Sequence, residues 1–248
     1  MPFMFSVSPD FTPEHLSGWY IFNTWLQKQT GLGIHLEMYD DFQTQRAAIQ
    51  AGQIDLIYAN PFDAAMLVRE KGFLPLVKAE GKSDEAIIAV AAESAVHDVA
   101  DLLPGTRVAF TDDPDVHLMG MIMLEPGDLD KDNIQSMPVD SYVLVAKHLL
   151  KGDADVGIFL AEAYDDLSVM VKKQLRILVR SQISVIHHAL MVGPKLQDQR
   201  EAIRDTLLAM PDDEKGRGVL SSLGFQAWQT VTDENMEFMI DLMDTLNT

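Results

Sequence analysis

The 248-residue chain has no cysteine and a formal net charge of −19, from 38 acidic and 19 basic side chains. Without thiols there are no disulfides, no thiol catalysis, no zinc–thiolate sites and no iron–sulfur clusters; without a basic footprint, general nucleic-acid binding is excluded and anionic membranes are disfavoured. The apolar share of 47% and charged share of 23% are those of globular proteins, and no apolar stretch approaches the ~18–20 residues of a bilayer span.

Strand and helix patterns alternate along the chain, which predicts an α/β sheet architecture. Phe3 to Val7 reads as a first strand, broken by Pro9 and Asp10. Its surroundings show no basic n-region and no leader-like apolar core. The chain is therefore expected to be cytoplasmic as given, or periplasmic if an export signal has been removed. Thr12-Pro13-Glu14 opens a helix, with Thr12 as N-cap and Pro13 at the first helical position. That helix is expected to reach Thr30 and to bury Leu16, Trp19, Tyr20, Phe22, Asn23 and Leu26. Strands follow at 34–39, 54–59 and 73–79, with helices at 42–51 and from Pro61 to Gly72 between them. The polar segment 80–85 reads as a hinge crossing. Beyond it, strands are expected at 86–91, 106–111, 134–138, 155–159 and 176–181, and helices at 115–124, 141–151 and 161–174. Ser184 to Val192 reads as a return strand, and Lys195 to Thr248 as an almost wholly helical tail broken at Gly224.

The chemistry-bearing stretches lie at strand-to-helix junctions. In open α/β sheets ligands sit outside the carboxyl ends of strands. Tyr58-Ala59-Asn60-Pro61 runs from a strand into a helix whose first N–H groups suit oxyanions or polar ligand atoms; Asn60 can equally be a plain cap. Asp112-Asp113-Pro114-Asp115-Val116-His117 is a second such junction. There the carboxylates serve as caps, solvated charge or ligand contacts, and the carboxylate–histidine spacing is not diagnostic of a metal. Tyr142 and Glu162 begin two further helices. Residues 42–62 and 141–162 share one order: helix, glycine, aspartate, apolar strand, helix. The His187-His188 pair is expected in a strand, with side chains on opposite faces that cannot chelate one ion together. Walker, G-x-G-x-x-G, G-x-S-x-G and H-E-x-x-H motifs are absent.

The stretch AAIQAGQIDLIYANPFDAAML resembles the first-lobe signature of the phosphate/phosphonate-type substrate-binding proteins of ABC transporters, and HLLKGDADVGIFLAEAYD resembles its second-lobe counterpart. The resemblance implies a two-lobed type 2 periplasmic-binding-protein-like α/β fold with a ligand cleft between lobes and a helical C-terminal tail. Lobe 1 is expected at 1–83 plus 185–248, and lobe 2 at 84–184. It further implies ligand contacts from Ser8, Pro9 and Asp10 after the first strand, from Tyr58, Asn60 and Pro61 after the third, and from Tyr142 and Glu162 in the second lobe. Glu162 would face a ligand's ammonium end. The family's Ser/Thr-rich turn is replaced by the 112–117 stretch, where Asp112 is a further candidate contact, so Glu162 or Asp115 would receive an amine and His117 would donate to an acidic group. The expected function is binding of a small polar or charged solute, phosphonate-like or amine-bearing, for ABC-type transport or sensing. A permease or a signalling protein would be the partner, the chain is expected to be a monomer, and neither cofactor nor metal is expected. The alternative is an enzyme, a lyase or biosynthetic protein, on the same scaffold; a regulatory module with a vestigial cleft is the third reading.

Overall fold

The computed structural model describes residues 2–10 and 15–246. The expected Thr12 cap and Pro13 helix start lie outside them. Helix α1 (Leu16–Thr30) follows strand β1 (Phe3–Val7) and ends at Gly31, whose φ of 71° is the left-handed conformation that suits a helix C-cap. Trp19, Phe22, Asn23 and Leu26 are buried as expected, but Leu16 and Tyr20 are 41% and 51% exposed. Tyr20 stands one residue past Trp19, about 100° around the helix, and Trp25 fills the inward face instead.

Strand β2 (Ile34–Met38) leads to helix α2 (Phe42–Gln50), capped by the Asp41 carboxylate accepting from Thr44 N–H at 2.7 Å. Strand β3 (Leu56–Ala59), helix α3 (Pro61–Lys71) and strand β4 (Leu74–Ala79) follow. Next come strands β5 (Ala86–Ala91) and β6 (Arg107–Phe110), helix α4 (Pro114–Leu124), strand β7 (Gln135–Pro138), helix α5 (Tyr142–Lys151) and strand β8 (Val156–Leu160). The expected helix over 161–174 is two pieces, α6 (Ala161–Asp166) and α7 (Val169–Lys172). Ser168 restarts it by accepting from Val171 N–H at 3.3 Å.

Strand β9 (Leu175–Arg180) is followed by β10 (Ala189–Val192), shorter than the return strand expected from Ser184. The Glu85 carboxylate accepts from Ser181 Oγ, from Ile183 N–H at 3.0 Å and from Ser184 N–H at 2.7 Å. Ser184 adopts φ of 62°. Backbone donors engaged this way cannot join a ladder. The tail holds α8 (Arg200–Leu208), α9 (Glu214–Ser222) and α10 (Asp233–Leu246), and also a strand, β11 (Trp228–Thr230), that interrupts the expected run of helices. Three residues are too few to show a period of two; β11 exists by pairing antiparallel with β4, Trp228 opposite Ala79.

The chain divides into two compact units, Met1–Lys82 with His187–Leu242, and Ser83–Ile186 with Met243–Thr248. The sheet of the first unit has the order β11-β4-β10-β3-β1-β2, and that of the second β7-β6-β8-β5-β9. Alternation along β3 feeds two cores in the first unit. Leu56 and Tyr58 join Phe5, Trp19, Phe22, Leu76 and Leu207 on one face, while Ile57 and Ala59 join Ile49, Leu67, Met239 and Ile240 on the other. In the second unit, Ile87, Ala109 and Phe159 pack under Val145 and Leu149 of α5. On the other face α4 lies close against β8, because a Cβ at Gly120 would come within 2.4 Å of Ile158 Cγ2. Both units are thus helices on sheets that mix parallel and antiparallel strands, the α/β fold expected. Among the described residues no helix is long and apolar enough to cross a membrane.

Candidate functional site

The first unit gathers its polar residues where parallel neighbours end together. Strands β1 and β3 pair with Val7 opposite Tyr58, so Ser8 N–H donates to Tyr58 C=O at 2.8 Å and Ser8 comes beside Asn60. Strand β10 is antiparallel to β3, with Ala189 opposite Ala59, which brings its leading residue His188 to the same edge.

Asn60 is fully buried and caps α3, its Oδ1 accepting from Asp63 N–H at 2.7 Å. That bond fixes which end of the amide is which. Its Nδ2 then donates to Ser8 Oγ at 3.1 Å and to Asp63 Oδ2 at 2.9 Å. The Asp63 carboxylate is held by both arms of Arg46, Nε at 2.5 Å and Nη2 at 3.2 Å. The guanidinium lies over the rings of Phe42 and Phe62, 5.3 and 5.1 Å from their centroids. Asp10 pairs with His188 Nε2 at 2.9 Å, and the His188 ring stacks on Tyr58 at 5.3 Å. Tyr58 also packs on Trp19, Phe225 and Trp228, so its ring is anchored in the core. Pro61 occupies the first turn of α3, where a missing N–H costs nothing. Pro9 is half-buried beside Asp10.

Residues 187–188 precede β10 and are not in a strand, which corrects the expected geometry of the histidine pair. His187 is buried, its Nδ1 against His188 C=O at 3.1 Å, and burial, helped by the nearby Lys78 charge, holds its pKa down to about 4.

In the second unit, β6 is flanked by the parallel strands β7 and β8, so residues 111–113, 139–142 and 161–162 share one sheet edge. Asp113 caps α4 and accepts from the Tyr142 hydroxyl at 2.7 Å. Burial, then the Asp113 charge, raises the Tyr142 pKa well above the usual tyrosine value. Asp115 is completely buried in the first turn of α4, and Asp112 is exposed. No lysine or arginine occurs between residues 108 and 130. His117 lies a turn further along α4. Its ring lies tilted against that of Phe110, centroids 4.2 Å apart, its Nδ1 is buried without a hydrogen-bond partner among the described residues, and burial lowers its pKa. Glu162 is exposed in the first turn of α6.

Ser8, Asp10, Tyr58, Asn60 and Pro61 therefore stand together in the first unit, and Asp112, Asp115 and Tyr142 in the second, with Glu162 at the end of the neighbouring β8. His117 faces Phe110. Sequence reasoning missed His188, Arg46 and Asp63 as site residues, and left Asp113 open between a cap, solvated charge and a ligand contact. The Asp113-Pro114 dipeptide is a legible cap signal. The Arg46–Asp63 pair, 17 residues apart, has no local signature.

The shared helix–glycine–aspartate motif proves to have one structural role in both units. Asp55 Oδ2 accepts from Met4 N–H at 2.9 Å at the start of β1, and Asp155 Oδ2 accepts from Arg107 N–H at 2.9 Å at the start of β6. Each aspartate ties the amino ends of two parallel strands, at the edge of its sheet away from the candidate residues.

The first unit is built from two separated stretches of chain and the second mainly from the stretch between them, a fold shared with solved substrate-binding proteins. A Xanthomonas citri protein bound to ATP superposes with a TM-score of 0.81 at 17% identity, covering 99% of this chain and 98% of that one. PhnD1 of Prochlorococcus marinus in complex with methylphosphonate gives 0.82 at 10% identity, with 99% and 98% covered. A binding protein component of an ABC phosphonate transporter from Pseudomonas aeruginosa gives 0.77 at 16% identity, with 100% and 89% covered. No curated protein sequence matches the chain. The family model described as ABC transporter, phosphonate, periplasmic substrate-binding protein matches residues 5–236. The chain belongs to that family of ABC-transporter substrate-binding proteins.

Proposed function

We propose that the chain is a receptor for a small solute bearing an amine, which it binds without chemical change and delivers to an ABC-type permease. The lobes of this reading are 1–83 with 185–248, and 84–184. Each contributes ligand contacts from the carboxyl edge of its own sheet: Ser8, Pro9, Asp10, Tyr58, Asn60 and Pro61 from the first, and Asp112, Asp115, His117, Tyr142 and Glu162 from the second. Family membership supports binding and delivery over catalysis.

The observation that carries the amine is the start of α4. A helix N-terminus attracts anions through its unpaired N–H groups and dipole. Here Asp113 caps that terminus and Asp112 and Asp115 flank it, in a stretch without lysine or arginine. The local field therefore favours a cation over a second anion. The test is a thermal-shift series with 2-aminoethylphosphonate, simple primary amines, methylphosphonate and inorganic phosphate. A ligand at about 100 times its Kd adds about 2.7 kcal/mol. Stabilisation is expected from the amine-bearing compounds and should weaken in Asp115→Asn. Equal stabilisation by methylphosphonate and none by any amine would replace this reading with a plain phosphonate receptor.

A further inference from the structure

We infer that Arg46 is a positioning residue which, through Asp63 and Asn60, sets the Ser8 hydroxyl as a hydrogen-bond donor to an oxygen atom of the solute. This rests on the receptor reading above and extends it: the first unit takes an oxygen-bearing end, so the solute carries both an amine and an acceptor such as a carboxylate, sulfonyl or phosphonyl oxygen.

The argument is a count of donors and acceptors. The Asn60 side chain offers one carbonyl oxygen and two N–H groups. Oδ1 is engaged by Asp63 N–H, and Nδ2 donates to Ser8 Oγ and to Asp63 Oδ2. Both N–H groups are therefore spent inside the protein, and Asn60 itself has no hydrogen to give a ligand. Ser8 Oγ, by contrast, is an acceptor in this set, so its own proton must point elsewhere. Ser8 is 1% exposed, and among the described residues its hydroxyl accepts from Asn60 and donates no hydrogen bond. A buried hydroxyl proton without a partner carries a desolvation cost, which a ligand oxygen would relieve.

The orientation has an upstream cause. Were the Asn60 amide turned over, its oxygen would face Asp63 Oδ2, a repulsive contact between two acceptors, and its NH₂ would face the Asp63 N–H. The charge on Asp63 enforces the observed orientation, and Arg46 holds that carboxylate with two hydrogen bonds. The rings of Phe42 and Phe62 on the guanidinium restrict where it can move. A lysine would keep the charge but lose the two-pronged grip.

Two measurements on the full chain separate this inference from the ligand reading. The first needs no ligand: the Asn60 side-chain amide is followed by proton–nitrogen NMR, identified by its loss in Asn60→Asp. In the unsubstituted protein its two protons should exchange slowly with solvent. In Arg46→Met they should exchange at least about tenfold faster while the circular dichroism spectrum is retained, and Arg46→Lys should recover part of the protection. An Asn60 amide indifferent to Arg46→Met overturns the relay whatever the protein binds. The second is calorimetric titration with 2-aminoethylphosphonate and with ethylamine, which lacks the oxygen acceptors. Ser8→Ala should weaken the first by about tenfold or more and leave the second unchanged; Ser8→Ala and Arg46→Met together should cost little more than Ser8→Ala alone. Equal loss for both probes overturns the donor role of Ser8. Failure of both probes to bind the unsubstituted protein overturns the ligand reading, and the amide measurement still decides the relay.

Discussion

In the first unit the carboxylates at the sheet edge meet basic partners, Asp63 the guanidinium of Arg46 and Asp10 the imidazole of His188. In the second unit Asp113 meets the hydroxyl of Tyr142, and the surrounding stretch from 108 to 130 supplies no lysine or arginine. The same helix–glycine–aspartate–strand–helix unit underlies both edges, and in both its aspartate ties two strand starts. The scaffold is thus repeated while the edge chemistry diverges. The aspartate clamp is common to both units, whereas the residues that begin the following helix differ, Pro61, Phe62 and Asp63 in one and Ala161, Glu162 and Ala163 in the other.

The contrast is open to direct attack. Asp63→Ala should cost about 3 kcal/mol in urea unfolding, because it strands Arg46 and removes the acceptor that orients Asn60; the partial exposure of Arg46 keeps it at the low end for a broken pair. Acid should expose the first unit next. His187 has a folded pKa of about 4 against an ordinary 6.5, so the unfolded chain binds its proton first. The stability it contributes is complete above pH 6.5 and is lost as pH falls through 4, on the order of 3 kcal/mol in all. His187→Gln should flatten that limb of the stability–pH curve; an unchanged limb would assign it to other groups. Asp113→Ala should cost about 2 kcal/mol through the lost cap and the stranded hydroxyl, whereas Asp113→Asn, which can still cap, should cost roughly 1 kcal/mol or less. Should Asp113→Ala exceed Asp63→Ala, the tyrosine-held carboxylate would be the stronger support and the comparison would reverse.

The smallest effect lies at alkaline pH, in the second unit. The Tyr142 pKa is raised on folding, so its contribution is complete below pH 10 and is lost as pH rises through the folded value. In Tyr142→Phe this decline should be shallower, and ultraviolet titration should lose its latest-ionising tyrosine. A tyrosine titration curve with the same last step would place the late ionisation elsewhere.

Much of the fold could be read locally. Asn60 and Ser141 cap their helices, Gly72 and Gly152 end theirs with φ of 67° and 74°, and apolar runs such as Leu56–Ala59 and Val156–Leu160 form the buried strands. The elements misread were those without a local signature. Strand β11 is three residues long, and the return strand is cut short by Glu85, which sits about 100 residues upstream of the N–H groups it binds. Periodicity puts Leu16 and Tyr20 on the inward face because it marks a face without marking where its packing partner stops.

Composition, capping residues and the periods of two and 3.6 determined by themselves that this is an α/β chain of alternating strands and helices, with polar junctions at strand ends. These signals are local, set by backbone sterics and by hydrogen bonds spanning a few residues. Only the tertiary structure decided what each junction offers chemically: that Asn60 spends its amide on Ser8 and Asp63, that Arg46 stands behind them, that His188 meets Asp10, and that Asp113 meets Tyr142. The partners lie between 17 and 178 residues apart for Arg46–Asp63 and Asp10–His188. Their pairing depends on strand order and register, which no window of sequence contains.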